Sequence, residues 1–399
     1  MKIDLKTAVT LTSEEVRDTM VLMRNMGDDP LAIQENFRGM FPKKIAEAMG
    51  ELRAQRRRAL VKFSNGLDMF FTKEQLQQSS SESVAMWRAR RFVKAGIKEV
   101  WDPCCGIGAD AIALARSGIK VFARDKEEST VHYAAANAEV YAVENMIEFE
   151  TADATEIAPG DGVLWLDPSR RRGARRIMSP GDWSPNPEQV AALLAGRPGA
   201  GVKLSPALAV DELLDKYPTP DEVEVISLKG EAKETVFWYG SLADDCARCA
   251  TSLPAEECWS GDYLPQAESA KLGPFIHDPD PALVQAGVLG SFAEKHQLYT
   301  VDPEIAYLTS SKPVFSPFLA TFKVLAVEAL DPRKMRPILR EHKVGSLEIR
   351  TRGIVERTQA LSQRMMKKTF GDRRLVLLAM RIGDRHLGAL AELLHEDDD

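Results

Sequence analysis

Between residues 99 and 168 the chain repeats a pattern that restricts its fold more than any other feature. Short apolar runs (EVWD, VFARD, IEFETAD and VLWLD) each end in an aspartate, and segments of helical periodicity follow the first two. Strands buried on both faces read this way, and strands alternating with helices form a parallel sheet with right-handed crossovers. We therefore predict an α/β domain whose aspartates meet at the carboxyl edge of the sheet, where such sheets bind ligands.

The alternation continues to residue 240. VKLSP (202–206) predicts a fifth strand, and VEVISL (223–228) and ETVFWYG (234–240) predict two more. Only KGEAK separates the last two, which is too short for a crossover helix. They should form a hairpin, so that one of them runs antiparallel.

The segments on either side of this domain have other patterns. Residues 12–60 carry the apolar spacing and N-cap signals of helices, whereas residues 241–310 are irregular. From residue 314 onward, strands and helices alternate as in an independent α+β module. We predict a helical N-terminal cap (1–95), a ligand-binding α/β domain (96–250), an irregular connector (251–318) and an α+β domain (319–399).

Charge excludes a globally basic nucleic-acid-binding protein, because the net charge is −7. The last predicted domain nevertheless carries more Lys and Arg than Asp and Glu. In SLEIRTRG (346–353), apolar residues alternate with Glu348, Arg350 and Arg352. This alternation predicts a strand with one buried face and one largely basic face, a pattern that suits nucleic acid.

The sequence predicts a cytoplasmic protein with no membrane contact, and no obligate protein partner is inferred from it. Its N-terminus is charged from the second residue, and no apolar stretch approaches the ~18 residues of a membrane-spanning helix. Five cysteines, an odd number in a long chain, favour reduced thiols. Cys246, Cys249 and Cys258 would give three zinc ligands if His277 supplied a fourth. The spacing to this histidine is wrong for a zinc finger, so we predict no metal.

The first predicted strand leads into Asp102-Pro-Cys-Cys-Gly-Ile-Gly, in which Gly106 and Gly108 permit a tight turn and close approach of a ligand to the backbone. The third glycine of the dinucleotide-phosphate fingerprint is absent. An acid beside the turn suits an ammonium group and not a pyrophosphate. S-adenosylmethionine (SAM) carries an ammonium, a sulfonium and a ribose but no phosphate. We therefore predict that Asp102, Cys104, Gly106 and Gly108 bind SAM.

Two further strand ends fit the same ligand. Asp125, about 20 residues after the glycine turn, is placed to accept hydrogen bonds from ribose hydroxyls. Asp153, at the end of the third strand, could accept one from the adenine amino group. The alternative is a doubly wound domain whose acids only cap helices.

These residues resemble a class I SAM-dependent methyltransferase. The motifs that carry the resemblance are WDPCCGIGAD, VFARD, Asp153, Asp167-Pro168 and NAEVYAV, the last of which is similar to the corresponding helix of RNA cap guanine-N2 methyltransferases. Over most of residues 55–390 the chain is similar to a bacterial family in which such a domain precedes a THUMP-like domain. This similarity rests on FFTKEQLQQSSSESVAMWRARRF, LDPSRRRGARR, LGPFIHDPDPALVQAG and SLEIRTRG.

The resemblance implies a fold, a cofactor and a partner. The expected fold class is α/β, a Rossmann-like methyltransferase sheet with a helical N-terminal cap and a C-terminal α+β THUMP-like module. The connector then contains a small ferredoxin-like piece at about 274–318. SAM is the expected cofactor. THUMP domains bind RNA, so the expected partner is tRNA or rRNA.

Asp167 and Pro168 are the expected transfer site. In enzymes of this class that methylate amines, the fourth strand ends in Asp/Asn-Pro-Pro-aromatic. The acid or amide accepts a hydrogen bond from the target amine, and the prolines aim backbone carbonyls at it. This chain departs from the pattern at Ser169 and Arg170, which removes an aromatic platform worth about 1–3 kcal/mol per stacked base. The guanidinium of Arg170 could stack instead, or pair with a phosphate.

Basic residues near this strand end are the expected RNA contacts, because an RNA backbone would have to pass the transfer point. They are Arg170, Arg171, Arg172, Arg175, Arg176 and Lys203. The chain also resembles RNA uridine-C5 methyltransferases, which have Asp-Pro-Pro-Arg here. Those enzymes need a cysteine at the end of the next strand, where this chain has Lys-Leu-Ser-Pro, so C5 chemistry is not expected.

Two other functions remain open from the sequence. One is an RNA-binding protein on a methyltransferase scaffold that performs no chemistry, which the missing Pro-aromatic pair motivates. The other is a methyltransferase for a protein or a small molecule, for which the arginine cluster would be inert.

Overall fold

The computed structural model describes residues 3–22, 24, 30–156, 162–169, 171–172, 175–176, 179–366 and 368–396. For residues 30–32, 34, 171–172 and 175–176 it describes the backbone alone. The chain forms two compact units, the first comprising 1–222 with 236–244 and the second 223–235 with 245–399. In the described ranges, no helix combines the length and the apolar character that crossing a membrane requires.

The helices are α1 (Leu5–Thr12), α2 (Glu14–Leu22), α3 (Pro30–Met40), α4 (Lys43–Ala59), α5 (Lys73–Gln78), α6 (Glu82–Lys94), α7 (Ala109–Arg116), α8 (Glu128–Val140), α9 (Pro187–Leu194), α10 (Val210–Leu214), α11 (Pro281–Ala286), α12 (Leu289–His296), α13 (Pro332–Glu341) and α14 (Thr358–Met365). Short 3-10 turns occur at Glu144–Met146, Ala154–Glu156 and Pro180–Asp182.

The strands are β1 (Glu99–Asp102), β2 (Lys120–Asp125), β3 (Ile147–Thr151), β4 (Val163–Leu166), β5 (Arg171–Arg172), β6 (Arg175–Arg176), β7 (Gly199–Leu204), β8 (Glu222–Leu228), β9 (Glu231–Gly240), β10 (Arg248–Leu253), β11 (Glu257–Ser260), β12 (Phe275–Pro279), β13 (Tyr299–Thr300), β14 (Leu308–Ser310), β15 (Leu319–Ala329), β16 (Val344–Arg352), β17 (Arg373–Ile382) and β18 (Arg385–Leu394).

The predicted parallel sheet is confirmed. Over the described residues, the strand order is β11-β10-β8-β9-β7-β4-β1-β2-β3, and β1 pairs in parallel with both β2 and β4. The chain runs from β1 outward to β3 and then returns to β4 on the other side of β1. This reversal of strand order creates a crevice at the carboxyl edge next to β1, which is where open α/β sheets bind ligands.

The predicted hairpin at the end of the series also forms. Strands β8 and β9 are joined by Lys229 and Gly230 alone, and both residues have positive φ, at 55° and 75°. Two successive positive φ values are typical of the tight turns whose twist matches antiparallel strands. The loop is shorter than the KGEAK expected from the sequence, because β9 begins at Glu231.

The helical cap belongs to the first unit and shares its core. Phe70 and Phe71 are buried together with Ile107, which follows the glycine turn, and Tyr133 on α8. Asn137 of α8 is fully buried, accepting a hydrogen bond from the Phe70 N–H (2.7 Å) and donating to the backbone carbonyls of Phe70 and Ile107 (both 3.0 Å). The cap chain and the glycine turn are therefore held against the same helix.

The second unit contains a sheet in the order β13-β14-β12-β15-β18-β17-β16, counted over the described residues. Both faces of β17 are buried. Leu375 and Leu377 pack in a cluster with Met335 of α13, whereas Val376 and Leu378 pack in another cluster. Burial on both faces explains why LVLLAM (375–380) is a continuous apolar run. The likeness of this unit to THUMP domains stays a prediction.

Residues 241–310 contain more regular structure than the sequence indicated. The segment expected to be irregular contains β10 to β14 and two helices. Its strands are short and rich in Ser, Thr and Cys, so they lack the apolar signature. Strands β12 to β14 share a sheet with β15 to β18, which places the predicted connector and C-terminal domain in one compact unit. Cys249 and Cys258 form a disulfide, so the expectation of reduced thiols is wrong for this pair.

The largely basic face expected on β16 is neutralised. Arg350 donates to Asp278 (3.1 Å) and Glu348 (3.0 Å), and Arg352 donates to Asp278 (2.9 Å). Asp278 belongs to β12, which is distant in sequence. The alternation of charges within β16 could not reveal these partners.

Candidate functional site

A cavity of about 570 Å³ opens at the carboxyl edge of the parallel sheet, next to β1. Its lining comes from four strand ends and from the cap. The residues that line it include Thr72, Gln75, Gln78, Ser79, Cys104, Gly106, Asp110, Asp125, Lys126, Asp153, Asp167, Pro168, Ser169, Ser184 and Pro185. The chain reversal next to β1 and the cavity therefore coincide.

The glycine turn forms the floor of this cavity. Gly106 and Gly108 have φ values of 53° and 84°, a region that residues with a Cβ rarely adopt. A Cβ at Gly106 would meet no heavy atom within 4 Å, so this backbone faces open space. A Cβ at Gly108 would lie 3.3 Å from that of Ala134 on α8. One glycine therefore opens the cavity, and the other lets the turn pack on α8.

Asp102 is 1% exposed at the end of β1. Its Oδ1 accepts a hydrogen bond from the Cys104 N–H (3.3 Å), but its buried Oδ2 has no partner among the described residues. Burial, together with the negative charges of Asp110 and Asp167, raises the pKa of Asp102 well above its usual range. A buried carboxylate oxygen without a partner is costly, and a cationic hydrogen-bond donor would relieve this cost.

Asp125 and Asp153 are the acids at the ends of the next two strands. Asp125 accepts hydrogen bonds from the backbone N–H groups of Gly106 (3.2 Å) and Glu127 (3.0 Å), and burial raises its pKa. Asp153 accepts from the N–H (2.9 Å) and the hydroxyl (2.7 Å) of Thr155, and these hydrogen bonds lower its pKa. Both carboxylates are thus oriented by backbone donors at the cavity wall.

Asp167 follows β4 and forms an ion pair with Lys203, whose Nζ lies 2.5 Å from Asp167 Oδ2. Lys203 is 6% exposed, and the Asp167 side chain is 26% exposed. The lysine expected to contact RNA phosphates from the surface therefore lies beneath Asp167. Within the described residues, Asp167 Oδ1 accepts no hydrogen bond.

The helical cap supplies one wall of the cavity. Helix α5 begins with a capping box of Thr72 and Gln75, and the Gln75 Nε2 donates to Thr130 on α8 (2.9 Å). At the other end of α5, the Lys62 ammonium donates to the carbonyls of Leu76 (2.8 Å) and Ser79 (2.7 Å). Polar residues are common at helix ends, so nothing in the sequence marked the polar residues of α5 as lining a cavity.

The arginine cluster is described only in part. Arg170 lies outside the described residues. The backbones of Arg171 and Arg172 pair with those of Arg176 and Arg175 as the small antiparallel hairpin β5–β6. Ser169 pairs with Ser184 through two backbone hydrogen bonds, of 2.8 and 3.0 Å, which brings Pro185 to the cavity wall.

The structure therefore brings most of the predicted site residues together. Cys104, Gly106, Asp125, Asp153, Asp167 and Pro168 line the cavity. Asp102 is buried one residue before the lining residue Pro103, and Gly108 is the N-cap residue of α7. A crevice at the carboxyl edge, a glycine turn and acids at successive strand ends define the Rossmann-like SAM-dependent methyltransferase class.

Comparisons with known proteins agree with this class. The family model of the RNA cap guanine-N2 methyltransferases matches residues 97–175. Two curated relatives, from Mycobacterium tuberculosis strains CDC 1551 / Oshkosh and ATCC 25618 / H37Rv, are each described as an uncharacterized S-adenosylmethionine-dependent methyltransferase. Each is 32% identical over 314 residues, which cover 78% of this chain and 85% of the relative.

Among solved structures, a crystal structure from Porphyromonas gingivalis W83, described as that of a methyltransferase, matches with a TM-score of 0.74 and 18% sequence identity. The match covers 99% of this chain and 100% of that one, and it shows that the fold is shared. This chain belongs to the family of S-adenosylmethionine-dependent methyltransferases. Its cofactor is SAM.

Proposed function

We propose that this chain transfers a methyl group from SAM to a nitrogen of an RNA base, in tRNA or rRNA. The observation that carries the proposal is that Asp167-Pro168 lines the same cavity as Asp125 and Asp153, next to the glycine turn that follows Asp102. The acceptor group of an amine-methylating site therefore opens into the same space as the acids that suit SAM.

Three acids would hold the cofactor. The buried Oδ2 of Asp102, which has no partner among the described residues, fits the ammonium of the methionine moiety. Asp125, oriented by two backbone N–H groups, would accept from the ribose hydroxyls, and Asp153 would accept from the adenine amino group. Gly106 leaves room for the ligand against the backbone, and Cys104 flanks it.

Bound SAM supplies a methyl group on a positively charged sulfur, and the sulfur keeps the bonding electrons when the methyl group leaves. Asp167 would accept a hydrogen bond from the target N–H, which points the nitrogen lone pair at the methyl group. Most of the rate would come from this positioning. After transfer, the surplus proton on nitrogen would pass to Asp167 and then to water.

Two observations support RNA as the substrate. The matched model of the RNA cap guanine-N2 methyltransferases extends through Asp167 to residue 175. The hairpin of Arg171–Arg172 and Arg175–Arg176 follows the transfer site directly, so an RNA backbone would pass beside it.

Transfer of labelled methyl from SAM to total RNA tests the proposal. The RNA comes from cells that lack this gene, because normal RNA can already be methylated. We expect label with the wild-type protein, and digestion of the product identifies the nucleotide. SAM binding without labelled RNA would overturn the proposal in favour of a protein or small-molecule substrate. RNA that binds but is never methylated by a SAM-competent protein would overturn it as well.

Replacing Asp102 with asparagine should weaken SAM binding by about 10- to 100-fold, since a hydrogen bond to a charged group is worth about 1.5–3 kcal/mol. The raised pKa of Asp102 adds a pH dependence. A cationic ligand prefers the ionised carboxyl, so wild-type affinity should rise with pH as Asp102 ionises, with release of a proton. Calorimetry at several pH values checks both effects.

The same variant should stabilise the protein without SAM at neutral pH. A carboxyl whose folded pKa is raised loses stability as pH increases above its unfolded pKa, so removing the carboxyl removes this loss. An unchanged melting temperature together with an unchanged pH dependence of SAM binding would contradict this account of Asp102.

The arginines should set the salt dependence of RNA binding. We expect the triple variant Arg170→Ala, Arg171→Ala, Arg172→Ala to weaken RNA binding and to reduce the slope of log K against log salt by about 2, at ~0.7 per phosphate contact for single strands. The control variant, Lys94→Ala, Lys98→Ala, Lys120→Ala, also removes three positive charges. Lys94 and Lys98 precede β1, and Lys120 begins β2. Equal slopes for the two variants would contradict a local RNA contact.

A further inference from the structure

We propose that Lys203 is a positioning residue for methyl transfer, whose ammonium holds Oδ2 of Asp167 so that Oδ1 faces the target nitrogen. This inference rests on the proposed function of Asp167. It assigns Lys203 a role within the protein, in place of the phosphate contact that its position in the sequence suggested.

The sheet register brings these two residues together. Strands β4 and β7 are parallel, and Leu166 pairs with Val202. One residue further along, Asp167 stands beside Lys203. Side chains at paired positions of neighbouring strands point to the same face of a sheet. The ion pair, with 2.5 Å between Nζ and Oδ2, is therefore fixed by the backbone rather than by a mobile surface loop.

The burial of Lys203 argues against an RNA contact. Its side chain is 6% exposed, and its ammonium already pairs with Asp167, so little of it is accessible to an RNA phosphate. A buried ammonium needs a partner, because desolvation of an unpaired charge costs several kcal/mol. Asp167 is that partner, so the buried ammonium of Lys203 depends on the carboxylate of Asp167.

The charges around the pair explain why a cation is useful there. Asp110, Asp125 and Asp153 line the same cavity as Asp167, and the negative charge of Asp167 contributes to the raised pKa of the buried Asp102. Among the residues whose side chains the structure describes, the cations beside this cluster include Arg88, which pairs with Asp110, and Lys126. Lys203 compensates the acid nearest the transfer point.

Fixing one oxygen also defines the geometry of the other. A carboxylate with two equivalent oxygens can rotate and accept the target N–H from several directions. With Oδ2 held by Lys203, Oδ1 is the oxygen left to accept within the described residues. The target nitrogen is then oriented in one way, and misplacement by about 1 Å can cost 100-fold in rate.

The positioning role of Lys203 does not change the balance of atoms and electrons in methyl transfer. The nitrogen lone pair forms the new N–C bond while the S–C bond breaks and sulfur keeps its electron pair. The nitrogen releases one proton, which Oδ1 of Asp167 accepts and passes to water. Lys203 keeps its proton throughout.

Two single variants test the proposal, Lys203→Met and Lys203→Arg. We expect Lys203→Met to lower kcat by about 10- to 100-fold, with the KM for RNA and the Kd for SAM within about 3-fold of wild type. Lys203→Arg, which keeps the cation, should restore most of the rate. The salt slope of RNA binding should not change. Parallel losses of kcat and SAM binding in both variants, or a reduced salt slope, would overturn the proposal.

A double-mutant cycle separates positioning from mere structural support. In an Asp167→Ala background, Lys203→Met should cause no further loss of rate, since the residue it positions is gone. The double variant also removes both charges of the ion pair, so it remains informative if Lys203→Met alone fails to fold. A further loss of rate in the double variant would overturn the proposal. If the wild-type protein methylates a protein instead of RNA, the proposed function fails while the same cycle still tests Lys203 on that substrate.

Discussion

Asp167→Ala is expected to lower the rate constant of methyl transfer by roughly 10²- to 10⁴-fold, the usual contribution of a positioned acid or base. The variant removes the acceptor for the target N–H and leaves the acids at the ends of β1, β2 and β3 in place. The Kd for SAM should therefore stay within about 3-fold of wild type. A loss of rate with retained cofactor affinity identifies an interaction made in the transition state.

Single-turnover methylation with saturating SAM measures this effect. Asp167→Asn keeps an oxygen acceptor but loses the charge that pairs with Lys203, so its rate should lie between those of wild type and Asp167→Ala. Glu188→Ala removes an exposed carboxylate in the first turn of α9 and serves as the matched control, with full activity expected. A rate for Asp167→Ala within tenfold of wild type would contradict the assigned role.

The acids of the site could be predicted from the sequence because buried parallel strands have a distinctive sequence pattern. A strand that is apolar on both faces shows its end as the first polar residue, and Asp102 and Asp167 each stand at such a point. The carboxyl ends of parallel strands share one edge, so residues far apart in sequence could be placed together. The end of β2 could not be located from apolar residues alone. Asp125 was identified by its distance from the glycine turn that precedes it.

The partners of these acids could not be found in this way. The sequence analysis grouped Lys203 with the expected RNA contacts, although its side chain is buried and pairs with Asp167. Arg350 and Arg352 read as a basic face, although Asp278 of another strand neutralises them. Ion pairs depend on register and on contacts across the sheet, which single-strand patterns do not encode. The strands in residues 241–310 were missed because several of their buried side chains are polar.

Arg88→Ala is expected to destabilise the protein by about 3–5 kcal/mol, the usual result of removing one partner of a buried ion pair. Arg88 lies on α6 with a side chain that is 2% exposed, and it pairs with Asp110 in the first turn of α7. It also donates to the Ser80 hydroxyl (2.9 Å) and lies 4.5 Å from the centroid of the buried Trp165 ring. Alanine would remove all of these contacts and leave Asp110 without this cation.

Urea unfolding of Arg88→Ala beside Arg116→Ala measures the difference. Arg116 also links α7 to α6, through Glu82, but its side chain is 34% exposed, so its loss should cost less than about 1 kcal/mol. Arg88→Met with Asp110→Asn should recover most of the stability, because both charges are removed together. Similar losses for Arg88→Ala and Arg116→Ala would contradict the buried pair. Because the charge of Asp110 already raises the pKa of Asp102, Arg88→Ala should also shift the pH dependence of SAM binding upward.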